Sequence, residues 1–311
     1  MTRAHRLLFP LLFPTALLAA AAMVAAPSHA QGLRTVHAVR ATTGERDSLT
    51  VYLRYVAGAL TLATAHDSGV LYDVRTRFDP SRGTPEARFD PASRTLRVQS
   101  DSMSVRSRLR LGGFVFGDGD NKDRPPATMR IGLAPGVPLR LDAELTAVEG
   151  RLDLSGMSVS SLHLRSTASD TRLTFGTPNP VRVSEVEIRG TATHVEVQQL
   201  GNANAERVDV RVVAGSVDLD VSGAWSGTME LRLDVSLGEA TLRVPSDVGV
   251  RLEWNGVLGD LSAPGLVERD GARVSENWSV ASRKLIVDAD ARLGELDLQW
   301  IRASASLPAR P

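Results

Sequence analysis

The sequence predicts an all-β protein: a β-solenoid of two strands per turn and about 22 residues per repeat, preceded by a less regular, β-rich N-terminal capping domain. Three observations predict it. Aliphatic-x-aliphatic triplets recur at near-constant spacing from residue 139 onward. No stretch of ten or more residues after the first thirty carries a helical period. Glycine precedes an alternating strand again and again, as in "RVVAGSVDLDVSG" (211–223), "DVSLGEATLRV" (234–244) and "DARLGELDLQW" (290–300).

The triplets fall into two series. The first reads Leu139-Arg140-Leu141, Leu162-His163-Leu164, Val186-Glu187-Ile188, Val208-Asp209-Val210 and Leu231-Arg232-Leu233, at spacings of 23, 24, 22 and 23. The second reads Leu152-Asp153-Leu154, Leu173-Thr174-Phe175, Val195-Glu196-Val197, Val217-Asp218-Leu219 and Leu242-Arg243-Val244, at 21, 22, 22 and 25. Alternation of this kind describes a strand with one buried and one wet face. A single turn cannot bury its own apolar face, so successive turns must stack about 4.8 Å apart and join their aliphatics into ladders.

Gly150, Gly215, Gly238, Gly259 and Gly294 each stand one to three residues before a strand, where the chain must turn a tight corner. They do not form a phosphate cradle, because neither GxGxxG nor GxxxxGK[ST] occurs and no helix pattern follows them. Upstream, "SLTVYLRYVAGALTLATA" (48–65) resembles a looser copy of the repeat, and several alternating runs separated by Pro, Gly and Asp follow it. "GDGDNKDRPP" (117–126) is the linker. The expected organisation is therefore a signal segment at 1–30, an N-terminal β-rich domain at 31–128, the repeat domain at 129–303 and a disordered tail at 304–311. Exposed sheet edges at the ends of a stack need caps, a part assigned to the N-terminal domain at one end and to Trp278 and Trp300 at the other.

Arg3 and Arg6 precede an almost wholly apolar run at residues 7–26, and Ser28-His29-Ala30 forms a small-x-small cleavage site. Pro10 and Pro14 break the run, which favours a cleaved export signal over a retained anchor. No cysteine follows, so the lipoprotein route is closed, and with no cysteine anywhere the chain has neither disulfides nor thiolate metal sites. The 281 residues after the signal carry 34 basic and 36 acidic side chains, a balance that argues against nucleic acid as a partner. Lys122 and Lys284 are the only lysines, an imbalance that codon bias in a GC-rich genome explains.

Catalytic spacing is absent. His37, His66, His163 and His194 lie in separate segments without zinc-ligand spacing, and "GAWSG" (223–227) is not a nucleophile elbow. "GDGDNKD" (117–123) fails the EF-hand template because Lys122 stands at a ligand position. Trp225 and Trp254 fall at corners or edges, where packing is the commoner use of tryptophan than sugar stacking. The acids are the remaining candidates. Stacking the triplets in register sets Glu187 beside Asp209, and Glu196 beside Asp218, about 5 Å apart on outward faces. Such a row could hold calcium or flank a glycosidic bond, or it could be a solvated face whose arginines offset the repulsion.

Six segments carry a resemblance to the toast-rack family of bacterial cell-envelope proteins and to related adhesin-type β-solenoid domains. They are "VYLRYVAGALTLATAHDSGVLYDVRTRFDPSRGTPEARFDPASRTLRV" (51–98), "LGNANAERVDV" (200–210), "GSVDLDVSGAW" (215–225), "LGEATLRVPSDVGVRL" (237–252), "SENWSVASRKLIVD" (275–288) and "LGELDLQW" (293–300). Where relatives carry Gly-x-Gly at corners, this chain has Val148-Glu149-Gly150 and Val213-Ala214-Gly215. The resemblance implies a structural module and transfers no catalytic residue. The expected protein is thus non-enzymatic, needs no cofactor or metal, and is exported to the periplasm or beyond. It serves there as a binding, scaffold or envelope-stress-sensing module for an envelope protein or polysaccharide, peripheral to the membrane at most. The alternatives are a carbohydrate-active or calcium-dependent enzyme built on the four outward acids, and a surface adhesin.

Overall fold

The computed structural model describes residues 33–42, 47–100, 109–111, 114–116 and 126–303. The signal segment at 1–30, the "GDGDNKD" stretch and the tail at 304–311 lie outside the described residues. The first strands are β1 (Arg34–Ala41), β2 (Leu49–Thr64), β3 (Val70–Phe78), β4 (Glu86–Asp90), β5 (Thr95–Ser100), β6 (Leu109–Leu111), β7 (Phe114–Phe116) and β8 (Thr128–Leu133). They are followed by β9 (Pro138–Asp153), β10 (Ser158–Thr167), β11 (Asp170–Thr174), β12 (Val183–Thr191), β13 (Thr193–Gln198), β14 (Ala205–Val212) and β15 (Gly215–Asp220). The last are β16 (Gly227–Pro245), β17 (Gly249–Gly256), β18 (Asp260–Ser262), β19 (Leu266–Arg269), β20 (Ala272–Ser275) and β21 (Arg283–Ile301). Two short 3-10 turns, Pro80–Arg82 and Leu200–Ala203, are the helical elements among the described residues. β6 and β7 pair only with each other, and the other strands join one sheet.

That sheet closes on itself, which corrects the expected two-strand-per-turn solenoid with a separate N-terminal cap. The first half of β9 pairs in parallel with β10 and its second half with β11. From β10 the pairing runs through β12 and β14 to the first half of β16. From β11 it runs through β13 and β15 to the second half of the same β16. The result is a closed eight-strand parallel barrel, β9-β10-β12-β14-β16-β15-β13-β11, carrying further strands. On one side β2 lies along β9 in both halves and itself pairs with β5 and β8, so the N-terminal strands extend the same sheet rather than capping it. On the other side β21 lies along β16 and pairs with β17 and β18.

The physical reason lies at the corners. The sequence suggests a strand break between the two triplet series, but β2, β9, β16 and β21 bend there without losing their pairing. In β9 the in-out alternation slips by one residue at Ala147 and Val148, both buried, so the two halves of one strand present their apolar sides to the same interior. Ala147 has φ 55°, and Ala57, Ala168 and Ala192 hold the same left-handed conformation at 63°, 48° and 50°. On later rungs the corner passes to Gly215 and Gly238, with φ of 124° and 134°. Gly150 is no corner residue: it is buried within β9, where an added Cβ would meet the Leu145 side chain at 3.2 Å.

One continuous core fills the interior. Val186, Ile188, Val208 and Val210 on one row, and Val195, Val197 and Leu219 on the other, are fully buried. Burial of each stabilises the fold by roughly 1.5–3 kcal/mol. Buried asparagines tie the backbone where the rows meet between strands. Asn179 Nδ2 donates to the carbonyls of Val159, Val181 and Ala203, while its Oδ1 accepts from Val159 N. Asn202 bridges Phe175 O and Ala224 N in the same manner.

Candidate functional site

The four outward acids stand in the register the triplet spacing implies. Glu187 lies opposite Asp209 across β12 and β14, and Glu196 opposite Asp218 across β13 and β15. None of them is a bare carboxylate. Glu187 is paired with Arg189, two residues along its own strand. Asp209 pairs with Arg211, whose Nη2 donates to Oδ2 at 3.2 Å while Nε lies 3.2 Å from Oδ1 as a charge contact only. The arginine two residues on sits on the same face, because alternate residues of a strand point the same way. His163 lies in register with Glu187.

The second pair is the more elaborate. Arg172 Nε donates to Glu196 Oε2 at 2.7 Å and Gln198 Nε2 donates to Oε1 at 2.7 Å. Arg243 Nη2 donates to Asp218 Oδ1 at 3.2 Å. His194 Nε2 lies 4.0 Å from Asp218 Oδ2, and its Nδ1 is 2.7 Å from Ser216 Oγ. Partial burial pushes the Glu196 carboxyl up, but the hydrogen bonds from Gln198 and Arg172 and the charges of Arg172 and His194 outweigh it. The group is held below the usual carboxylate range.

Beside this pair opens a shallow cleft of about 330 Å³, lined by Glu196, Gln198, Gln199, Asp220, Ser222 and Arg243 together with Val197. Inside it Asp220 is engaged by its own turn, accepting from Ser222 N at 2.8 Å and from Ser222 Oγ at 2.9 Å. Glu187 and Asp209 belong to the other row and do not reach the cleft. Sequence reasoning missed Gln198, Gln199 and Ser222. The signal available for Gln198 was its place two residues beyond Glu196, which is also the relation of Asp220 to Asp218.

The arrangement can offer hydrogen-bond donors and acceptors of both charges, and it favours the ionised form of Glu196. Among the described residues no group of three His, Asp or Glu side chains lies close enough to hold a metal ion. Trp225 is buried, and Trp254 is partly buried against the core, so neither offers a free stacking platform beside the cleft. Trp300 donates to Pro264 O at 2.7 Å, and Trp278 lies under Lys284 at 5.1 Å. Among the described residues no helix is long and apolar enough to cross a membrane.

No protein-family model matches the chain, and no curated protein matches it. Solved bacterial structures do. A candidate cell adhesion protein from Clostridium sporogenes aligns at TM-score 0.43 and 13% identity, over 86% of this chain and 100% of that one. A candidate adhesin from Bacteroides fragilis aligns at 0.35 and 9%, over 85% and 97%. Another from Parabacteroides merdae aligns at 0.33 and 7%, over 88% and 98%.

Proposed function

We propose that the protein is a non-enzymatic, exported module of the bacterial cell envelope that binds or scaffolds an envelope protein or polysaccharide. The observation that carries this is the pairing of every candidate acid with an arginine. Glu187, Asp209, Glu196 and Asp218 each have such a partner within one rung. A general acid needs a carboxyl whose pKa is raised toward neutrality, whereas Glu196 is shifted the other way. Calcium binding needs several free carboxylate oxygens converging on one point, whereas an arginine engages at least one oxygen of each of these acids and, among the described residues, no three acidic or histidine side chains converge. What remains is a rigid, polar, charge-balanced surface with a cleft of mixed donors and acceptors, suited to recognition. Export is the part that rests on the first thirty residues alone.

The test combines binding with turnover. Purified protein is incubated with isolated envelope polysaccharide and with solubilised envelope proteins, and both co-sedimentation and release of reducing ends are followed. Binding without product is the expected result, with Gln198→Ala and Arg243→Ala weakening it. Turnover of any polysaccharide at an enzyme-like rate, lost in Glu196→Gln, would overturn the proposal.

A further inference from the structure

A second surface lies at the corner of the last rungs, away from the cleft. Val213, Leu237, Leu293, Val257 and Leu258 there are 54, 49, 54, 77 and 75% exposed, whereas most aliphatics among the described residues are buried. They are neighbours by register. Gly215 pairs with Gly238, Leu237 with Leu293, Gly238 with Gly294, and Asp260 with Glu295, which brings Leu258 next to Leu293. Earlier rungs put the left-handed alanines Ala57, Ala147, Ala168 and Ala192 at this corner. The change from alanine to leucine builds a ridge that spans four rungs, about 14 Å at the spacing of paired strands.

Acids flank the ridge on both sides. Asp234 and Asp290 stand in register three residues before Leu237 and Leu293. Glu239, Glu295 and Asp260 stand in register on the far side, all exposed. Among the described residues none of these five carboxylates has an ion-pair partner, in contrast to Glu187, Asp209, Glu196 and Asp218, which all do. An exposed apolar strip marks an interaction site more often than chance. The unpaired acids outnumber the nearby arginines, Arg211 in register with Asp234 and the exposed Arg292 beside Leu293, and that acidic excess states the sign of what covers it.

We propose that this ridge docks a cationic amphipathic segment of a partner protein, whose apolar stripe covers the leucines and whose flanking lysines or arginines meet the two acidic rows. Anionic lipid headgroups and phosphorylated polysaccharide are repelled by the same acids. The length suits about ten residues of helix. The proposal rests on the reading of the protein as a binding module and names its partner class, on a surface separate from the cleft.

The experiment uses two ~14-residue helical peptides with leucines on one face, one carrying lysine on its flanks and the other glutamate. Binding to the purified protein is followed by fluorescence anisotropy. The lysine peptide is expected to bind, the glutamate peptide not. The Leu237→Ser, Leu293→Ser, Leu258→Ser triple variant is expected to weaken binding at least tenfold, and so is Glu295→Lys with Asp260→Lys, each with an unchanged melting temperature. Equal binding of both peptides, no binding of either, or full binding by both variants overturns the proposal. Loss of peptide binding in the cleft variant Arg243→Ala, with the ridge variants unaffected, overturns it too while leaving the binding-module reading standing. Sedimentation analysis adds the last arm: dimers of the wild type that the leucine variant abolishes would make a second copy the occupant, again overturning it.

Discussion

Gly238 sits against Gly215 so closely that a Cβ placed on Gly238 would lie 1.7 Å from the Gly215 carbonyl oxygen. Both residues have positive φ and stand in register across β15 and β16, so the barrel closes over a corner that only backbone can fill. Gly238→Ala is therefore expected to cost more than about 4 kcal/mol, the range of severe backbone and packing defects. Gly271→Ala is the control. Its φ is 76° but nothing stands within 4 Å of the added carbon, so only the roughly 1–2 kcal/mol of left-handed strain applies. Urea unfolding of the two variants checks this, and similar losses would mean that the corner can open.

The same corners explain what was legible in the sequence. A strand's two-residue period leaves a direct trace in the chain, so the triplet spacing carries the pairing of Val186 with Val208 and of Val195 with Val217. The corner itself is made by one left-handed residue, and the same angle serves Ala147 inside the continuous β9 and Ala168 between the separate β10 and β11. The left-handed φ of Ala147 leaves no trace, since alanine is an ordinary strand and helix residue. Hence closure of the sheet through β9 and β16 could not be read. At the candidate site the placement of Glu196 beside Asp218 follows from register alone, whereas the cleft and the grip of Arg172 and Gln198 depend on side-chain rotamers across neighbouring rungs.

Adjacent residues on β15 should respond in opposite ways to substitution. Leu219 is fully buried, and Leu219→Asp places an unpaired charge in the core, so unfolding or aggregation is expected. Asp218 faces outward and shares partly exposed contacts with Arg243 and His194. Asp218→Asn should cost no more than about 1 kcal/mol. Circular dichroism and thermal melting of the pair decide the matter, and equal tolerance of both changes would contradict the inward placement of Leu219.

Asn179 carries more side-chain hydrogen bonds than Glu187, Asp209, Glu196 or Asp218. Its amide donates to Val159 O at 2.7 Å, Val181 O at 2.8 Å and Ala203 O at 3.1 Å, joining three segments of backbone. Asn179→Leu fills a similar volume but strands those carbonyls and Val159 N in the interior. Each unsatisfied buried group costs about 1–3 kcal/mol, so a loss of at least about 3 kcal/mol is expected. Denaturant titration gives the value directly, and hydrogen exchange at Val159 N should quicken in step.

Glu196 provides a dependence on pH whose sign is set by its partners. Its folded pKa lies below the ordinary carboxyl value of 4.5, because Gln198 and Arg172 hold the ionised form against the opposing effect of burial. A carboxyl depressed in the folded state binds protons more readily once unfolded, so its contribution is complete above the unfolded value and disappears as pH falls through the folded one. The side chain is 24% exposed, so that contribution is expected to be about 1 kcal/mol or less. Glu196→Gln removes the titration and keeps the shape. Wild type should exceed the variant in stability at neutral pH, with the gap shrinking below pH 4.5 and vanishing beneath the folded pKa. Arg172→Ala should move the fading of that gap to higher pH, since burial then meets less opposition. Urea unfolding of the three proteins between pH 7 and about pH 3 measures both effects. A gap that stayed constant across the range would mean that Arg172 and Gln198 do not hold Glu196 ionised, and the cleft would lose the fixed carboxylate on which its use as a recognition surface depends.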